Sequence, residues 1–166
     1  MKQQNLFKFS KIALPSKNKT SFGGEYGKGK RKSRRPLDVK KPLHLVLRVQ
    51  ASHPGMGSLL NNQNFINEKL KKFAKKFGIA IYGKAIVSNH IHLVLKFSHR
   101  LNYISFIRSV AGVLAKALKV KWSLLPFTRI VTWGRDFKNT LKYVLQNELE
   151  ALGIIDYQPR KRRRLL

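Results

Sequence analysis

IAIYGKAIVSNHIHLVLKF, residues 79–97, is the stretch that decides the fold. It holds two apolar, β-branched runs, 79–87 and 90–97, joined through Ser88 and Asn89, a link short enough for a hairpin. Strand side chains alternate, so Ile91, Leu93, Leu95 and Phe97 form one apolar row that must pack under whatever covers the sheet. His90, His92, Val94 and Lys96 then share the opposite side. Two imidazoles two strand positions apart have Cα atoms about 6 to 7 Å from each other, close enough to converge on one divalent ion. Ordinary surface or cross-strand histidines give the same pattern. A structural zinc site would need four ligands, and cysteine is absent.

The pattern continues on either side. PLHLVLRV (42–49) alternates, with Leu43, Leu45, Leu47 and Val49 facing one way and His44, Val46 and Arg48 the other. His44 reads as a half-exposed strand residue; His53 and His99 fall in or beside loops. Residues 62–77 form an amphipathic helix, apolar at Phe65, Ile66, Leu70, Phe73, Ala74 and Phe77, and Gly78 stops it. A second helix covers 102–118. FTRIVTW (127–133) is a further strand, Gly134 breaks it, and Asp136 reads as the N-cap of a last helix running to about Leu152. This order predicts an α+β, ferredoxin-like or RRM-like βαββαβ fold. It has one antiparallel sheet, helices on one face, the other face open, and an extra C-terminal helix.

Residues 1–41, containing GGEYGKGKRKSRRP, are basic, Gly-rich and aperiodic, and read as a flexible or loosely packed arm. The folded domain spans 42–153, and 154–166 is a basic tail. The bland reading of both ends is a solubilising one. The charge argues for more: 35 Lys and Arg against 7 Asp and Glu leave +28, a surface that calls for a polyanion. Nucleic acid is the expected partner. A membrane is not expected, since no basic amphipathic helix dominates and no long apolar span is read. The absence of cysteine excludes disulfides and thiolate chemistry and suits a reducing cytosol; the N-terminus is too polar for a signal peptide. No acid lies within an apolar strand run, which argues against a two-metal nuclease built on clustered carboxylates.

The last helix carries a second signal. In WGRDFKNTLKYVLQNELEALG the apolar residues Phe137, Leu141, Val144, Leu145 and Leu152 define a stripe. Tyr143 falls roughly 160 to 200° from its centre, with Asn147 one turn further along the same side. A packing tyrosine would sit in the stripe; a surface or interface tyrosine is the plain alternative.

NHIHLVL (89–95) and YVLQN (143–147) together resemble the HUH-type single-tyrosine transposases, most closely the REP-associated tyrosine transposases, over about residues 24–153. There a short Asn-His-hydrophobic-His run supplies two metal ligands and a downstream helix carries the nucleophile. WGRDF and PLHLVLR resemble the same superfamily. Two departures bear on the DNA target and on mobility: Ser88 stands where Pro is usual, and Glu148 follows Asn147 where an Asn-Pro stretch is usual.

The resemblance implies nicking and transfer of single-stranded or hairpin DNA through a covalent 5′-phosphotyrosine. Tyr143 would be the nucleophile, and His90, His92 and Asn147 the ligands of Mg²⁺ or Mn²⁺. A phenol is a weak nucleophile at neutral pH and needs help to lose its proton. Lys28, Lys30, Arg31, Lys32, Arg34, Arg35, Arg48, Lys96, Arg129 and Arg135 are the expected phosphate contacts. Trp122, Trp133 and Tyr82 could stack on bases, with core packing the expectation for Trp133. A monomer and a homodimer both fit, in a cytoplasmic, nucleoid-associated setting. The rival readings are a non-catalytic RRM-like RNA- or DNA-binding module and a domesticated relative that binds without cutting.

Overall fold

The structure, a computed structural model, describes residues 20–24, 35–50, 58–123 and 125–159. Lys28, Lys30, Arg31, Lys32, Arg34 and His53 lie outside the described residues, as do 160–166 of the basic tail. The elements are β1 (Ser21–Phe22), β2 (Leu43–Arg48), α1 (Gln63–Phe77), β3 (Ile79–Ile86), β4 (His90–Phe97), α2 (Arg100–Leu118), β5 (Phe127–Ile130) and α3 (Arg135–Ala151). They build one sheet of order β1-β5-β2-β4-β3, with every pair antiparallel. The ferredoxin-like α+β fold is therefore as the alternation predicts.

The β3–β4 hairpin closes over Ser88 and Asn89, with Ile86 opposite Ile91 and the Val87 N–H donating to the His90 carbonyl at 2.9 Å. Both turn carbonyls are also used, by the Leu59 and Val49 N–H groups. The turn is thus locked to neighbouring segments of the same chain on two sides. Beneath it, Leu43, Leu45 and Leu47 of β2 and Ile91, Leu93, Leu95 and Phe97 of β4 interleave with Ile66 and Leu70 of α1 and Tyr103, Phe106, Val110 and Leu114 of α2. This is the main core. By length and composition α2 could cross a bilayer, contrary to the expectation that no long apolar span exists. Here its Tyr103, Phe106, Val110 and Leu114 edge is seated in the core.

The structure corrects the sequence reading in three places. First, part of the arm joins the fold. Ser21 pairs with Arg129 and Phe22 with Thr128, adding an edge strand, and Arg35 donates to the Pro126 carbonyl at 2.8 Å and to Thr128 Oγ1 at 2.6 Å. Its guanidinium also lies 4.5 Å over the Phe22 ring. Second, Asp136 is not the N-cap. Gly134 caps α3 with φ +87°, and Asp136 sits in the first turn, accepting from the Thr132 N–H at 3.0 Å. Third, the far face of the sheet is only half open. α3 runs along β3, seating Val144 on Ala85 and Val94 in a second small core with Phe137, Leu141 and Tyr143 packed around it. Gly83 permits this approach: a Cβ there would lie 2.9 Å from Leu141 Cδ2.

The β1 edge depends on Gly23. Its φ of +78° disfavours any side chain, and a Cβ would fall 2.3 Å from the Pro126 carbonyl oxygen. Gly23→Ala is expected to cost about 1 to 3 kcal/mol. It should also speed exchange of the Ile130 amide, whose N–H is held by the Thr20 carbonyl at 2.9 Å. Urea unfolding and hydrogen exchange of that amide check both.

Candidate active site

Because β4 buries its odd row under α1 and α2, its even row faces α3, and this is where the histidines meet. His90 and His92 have ring centroids 4.6 Å apart and nearly perpendicular planes. Asn89 Oδ1 lies 2.6 Å from His90 Nδ1, a contact that orients the ring and leaves Nε2 as its outward nitrogen. Burial, then the charge of Arg48 opposite it on β2, hold the His90 imidazole below its ordinary pKa, so it keeps a lone pair at neutral pH.

The third histidine is the main surprise. In the β2–β4 register His44 faces Val94 and Val46 faces His92, so His44 and His92 are diagonal neighbours on one sheet face. Their rings stack with centroids 5.3 Å apart, and His44 Nε2 lies 3.1 Å from His92 Nδ1. His44 is buried, not half-exposed as its sequence suggests. The cause is α3, which the strand pattern of β2 cannot foresee.

Tyr143 completes the cluster. Its ring stands edge-on to His92 at 5.6 Å and to His44 at 6.0 Å. The helical-wheel reading that aimed Tyr143 away from the packed side is therefore corrected. Thr140 and Val144 are buried and Tyr143 shares their side, whereas Leu145 and Leu152 are exposed at 53% and 44%. The wheel was centred on apolar residues, but one flank of the surface under α3 is made of histidines, and that flank takes Thr140 and Tyr143.

Arg129 braces this flank. Its guanidinium donates to both Asp136 oxygens at 3.0 and 3.1 Å and to Thr140 Oγ1 at 2.8 Å, while Thr140 donates to the Asp136 carbonyl at 2.8 Å. Burial pushes the Asp136 carboxyl up, but the Thr132 N–H and Arg129 outweigh it, and the group rests below its usual range. Strand β5 is thereby tied to the first turns of α3. His44, Arg129, Asp136, Asn139, Thr140 and Tyr143 enclose an open cavity of about 530 Å³. The brace was missed in the sequence, although Asp136 and Thr140 stand one helical turn apart.

The other expected residues divide. Asn147 Nδ2 donates to the Tyr143 carbonyl at 2.6 Å, and no described hydrogen bond joins Asn147 to either histidine. Arg48 and Arg135 are exposed and Lys96 is half-buried on the even row of β4. Arg35 and Arg129 are engaged within the fold as described, Arg35 on the Pro126 and Thr128 side of β5. Two imidazoles so placed are a fitting partial donor set for a borderline divalent ion. Although His44 stacks on His92, no group of three His, Cys, Asp or Glu among the described residues is arranged to hold a metal ion, so further ligands would come from an amide, solvent or the substrate.

Residues 40–144 match the family model for IS200-like transposases. The structure is similar to that of a REP-associated tyrosine transposase bound to a REP hairpin, with a TM-score of 0.55 and 10% identity over 72% of this chain and 73% of that one. It also matches a candidate transposase from Deinococcus radiodurans R1, with a TM-score of 0.42 and 14% identity over 71% and 97% of the two chains. No curated protein matches.

Burial, then Arg129's charge, push His44 down to about 4, against an upward pull from Asp136. His92, Tyr143, Arg129 and Asp136 are the titratable or charged groups that face it. Between that value and the ordinary one near 6.5 the unfolded chain binds more protons than the folded one. Stability from the neutral ring is therefore complete above about pH 6.5 and lost as pH falls through about 4. Unfolding free energies from urea titrations over this window should drop by an amount on the order of a few kcal/mol, and clearly less in His44→Gln.

Proposed function

This chain belongs to the IS200-like transposase family, and on that premise we propose that it nicks and rejoins single-stranded DNA through Tyr143. The observation carrying this reading is the meeting of Tyr143 with the His92 and His44 rings within one chain, beside a cavity bounded by Arg129 and Asn139. In the reaction the Tyr143 oxygen bonds to a backbone phosphorus while the bond from that phosphorus to the 3′ oxygen breaks. The phenolic proton is released and the departing 3′ oxygen takes one up, leaving a 5′-phosphotyrosine and a free 3′-OH. Attack by a 3′-OH reverses the step, so the bond energy is conserved and no nucleotide cofactor is required.

The family is generally metal-dependent. His90 and His92, with Asn147 as a further donor, would hold Mg²⁺ or Mn²⁺, and the ion would polarise the scissile phosphate and offset charge on its oxygens. The chain's own residues do the rest. Asn89 fixes the His90 ring. His44, neutral at pH 7, lies with its Nε2 3.1 Å from His92 Nδ1; in the tautomer in which His92 donates there, the lone pair of His92 would stand on its buried Nε2. Arg129, through Asp136 and Thr140, sets the position of α3 and hence of the phenol. Exposed Arg48, beside His90, would contact phosphate. A hairpin-bearing single strand is the proposed substrate, since the REP-associated relative is described as bound to a REP hairpin. No group of three His, Cys, Asp or Glu among the described residues is arranged to hold a metal ion, which favours one second reading: a relative that binds DNA without cutting it.

Labelled single-stranded DNA with Mn²⁺ should yield an SDS-resistant protein–DNA adduct, absent in Tyr143→Phe and with EDTA. His90→Ala and His92→Ala should each reduce it about 100-fold, and His44→Leu about 10-fold, with His44→Gln retaining most of it. No adduct across varied hairpin substrates would leave the binding-only reading.

A further inference from the structure

One feature of the α3 face lies outside this cluster: a group of large aromatics left in solvent. In the β3–β4 ladder Ile81 pairs with Leu95 and the next pair is Gly83 with Val94, so Tyr82 is an extra residue in a β-bulge. Such a bulge re-aims a side chain, here bringing Tyr82 against Trp133 and Phe137 of the β5–α3 turn and α3. Tyr82 is 43% exposed and Trp133 48% exposed. The expectation that Trp133 packs in the core is thus corrected. Trp122 takes the interior role instead, packing on the core and donating its indole N–H to the Ala111 carbonyl at 3.0 Å.

The exposed pair is nonetheless fixed. Trp133 Nε1 donates to the Lys40 carbonyl at 2.9 Å. The Tyr82 ring stands 5.8 Å from Trp133 in edge geometry, and Phe137 lies 5.4 and 4.9 Å from the two. Two aromatics anchored in this way expose π surface whose ordering cost is already met in the free protein. Cations border it: Arg135 and Lys138 are exposed on the first turns of α3 beside Trp133. An aromatic surface rimmed by positive charge suits a nucleobase with its phosphate better than it suits lipid or an apolar peptide. Duplex DNA keeps its bases stacked on one another, so the surface favours unpaired ones. Phe137 and Tyr143 belong to the same helix, separated by roughly 9 Å along its axis. A base resting there belongs to a nucleotide close to the phosphate that would reach Tyr143.

We propose that Tyr82 and Trp133 form a stacking platform for an unpaired base of single-stranded DNA flanking the scissile phosphate, an inference that rests on the single-strand reading above. The test is the anisotropy of a labelled, unstructured oligonucleotide and of its duplex, at one salt concentration and over a salt series, with tryptophan emission recorded in parallel. Tyr82→Ala and Trp133→Ala should each weaken single-strand binding about tenfold, leaving the salt slope and duplex binding unchanged. Tyr82→Phe and Trp133→Phe, which keep a ring, should stay within about threefold. The oligonucleotide should quench wild-type emission, and the quenching should vanish in Trp133→Phe, where only buried-side Trp122 remains. Wild-type affinity in the alanine variants, persistent quenching in Trp133→Phe, or equal losses on single strand and duplex would each overturn the platform alone. A wild-type protein that binds the single strand no better than duplex, without quenching, would overturn both the platform and the single-strand reading.

Discussion

Everything on the α3 face of the sheet follows from the burial of one row of β4. Ile91, Leu93, Leu95 and Phe97 are 0 to 1% exposed beneath α1 and α2. A strand has a period of two, so a slip by one residue would put four apolar side chains on the wrong face. Their burial therefore fixes His90, His92 and Val94 on the opposite face with little freedom. The hairpin turn, bonded on both flanks by Leu59 and Val49, pins the start of that row and with it the Asn89–His90 contact.

The second determinant is how α3 divides the remaining face. Its apolar side, Phe137, Leu141 and Val144, lies along β3 and β4, where Gly83 lets the helix come close. Its polar side then falls over β2 and β5, where Arg129 ties Asp136 and Thr140 down. Tyr143 sits at the junction of the two. One flank of the helix thus supplies packing, the other supplies a cleft, and the phenol lies where the cleft meets the packed histidines. The contact between the Tyr143 and His92 rings forms within one chain.

The charge adds a separate layer. Between Val39 and Arg135 the chain has one acid, Glu68, and it is paired with Lys69. Most cations on this domain therefore have water rather than carboxylates as neighbours. A polyanion meets little competition for them, and affinity from this source carries no sequence information. Any discrimination between single and double strands would have to come from shape and from exposed aromatic surface.

The sequence alone determined the element order, the sheet and its buried row, and the placing of His90 and His92 on one side, because these rest on local periodicity. It also marked Tyr143 and Asn147 through a family resemblance, although it misjudged which way Tyr143 faces. Tertiary structure alone decided the rest. A helix cannot reveal from its own residues that the surface beneath it is half apolar and half histidine, so the buried side of α3 was misplaced. His44 looks like an ordinary strand residue until α3 covers it, and Arg129 like a phosphate contact until Asp136 comes within 3.0 Å. These roles arise from contacts between residues far apart in the chain, and such contacts leave no periodic trace in either partner.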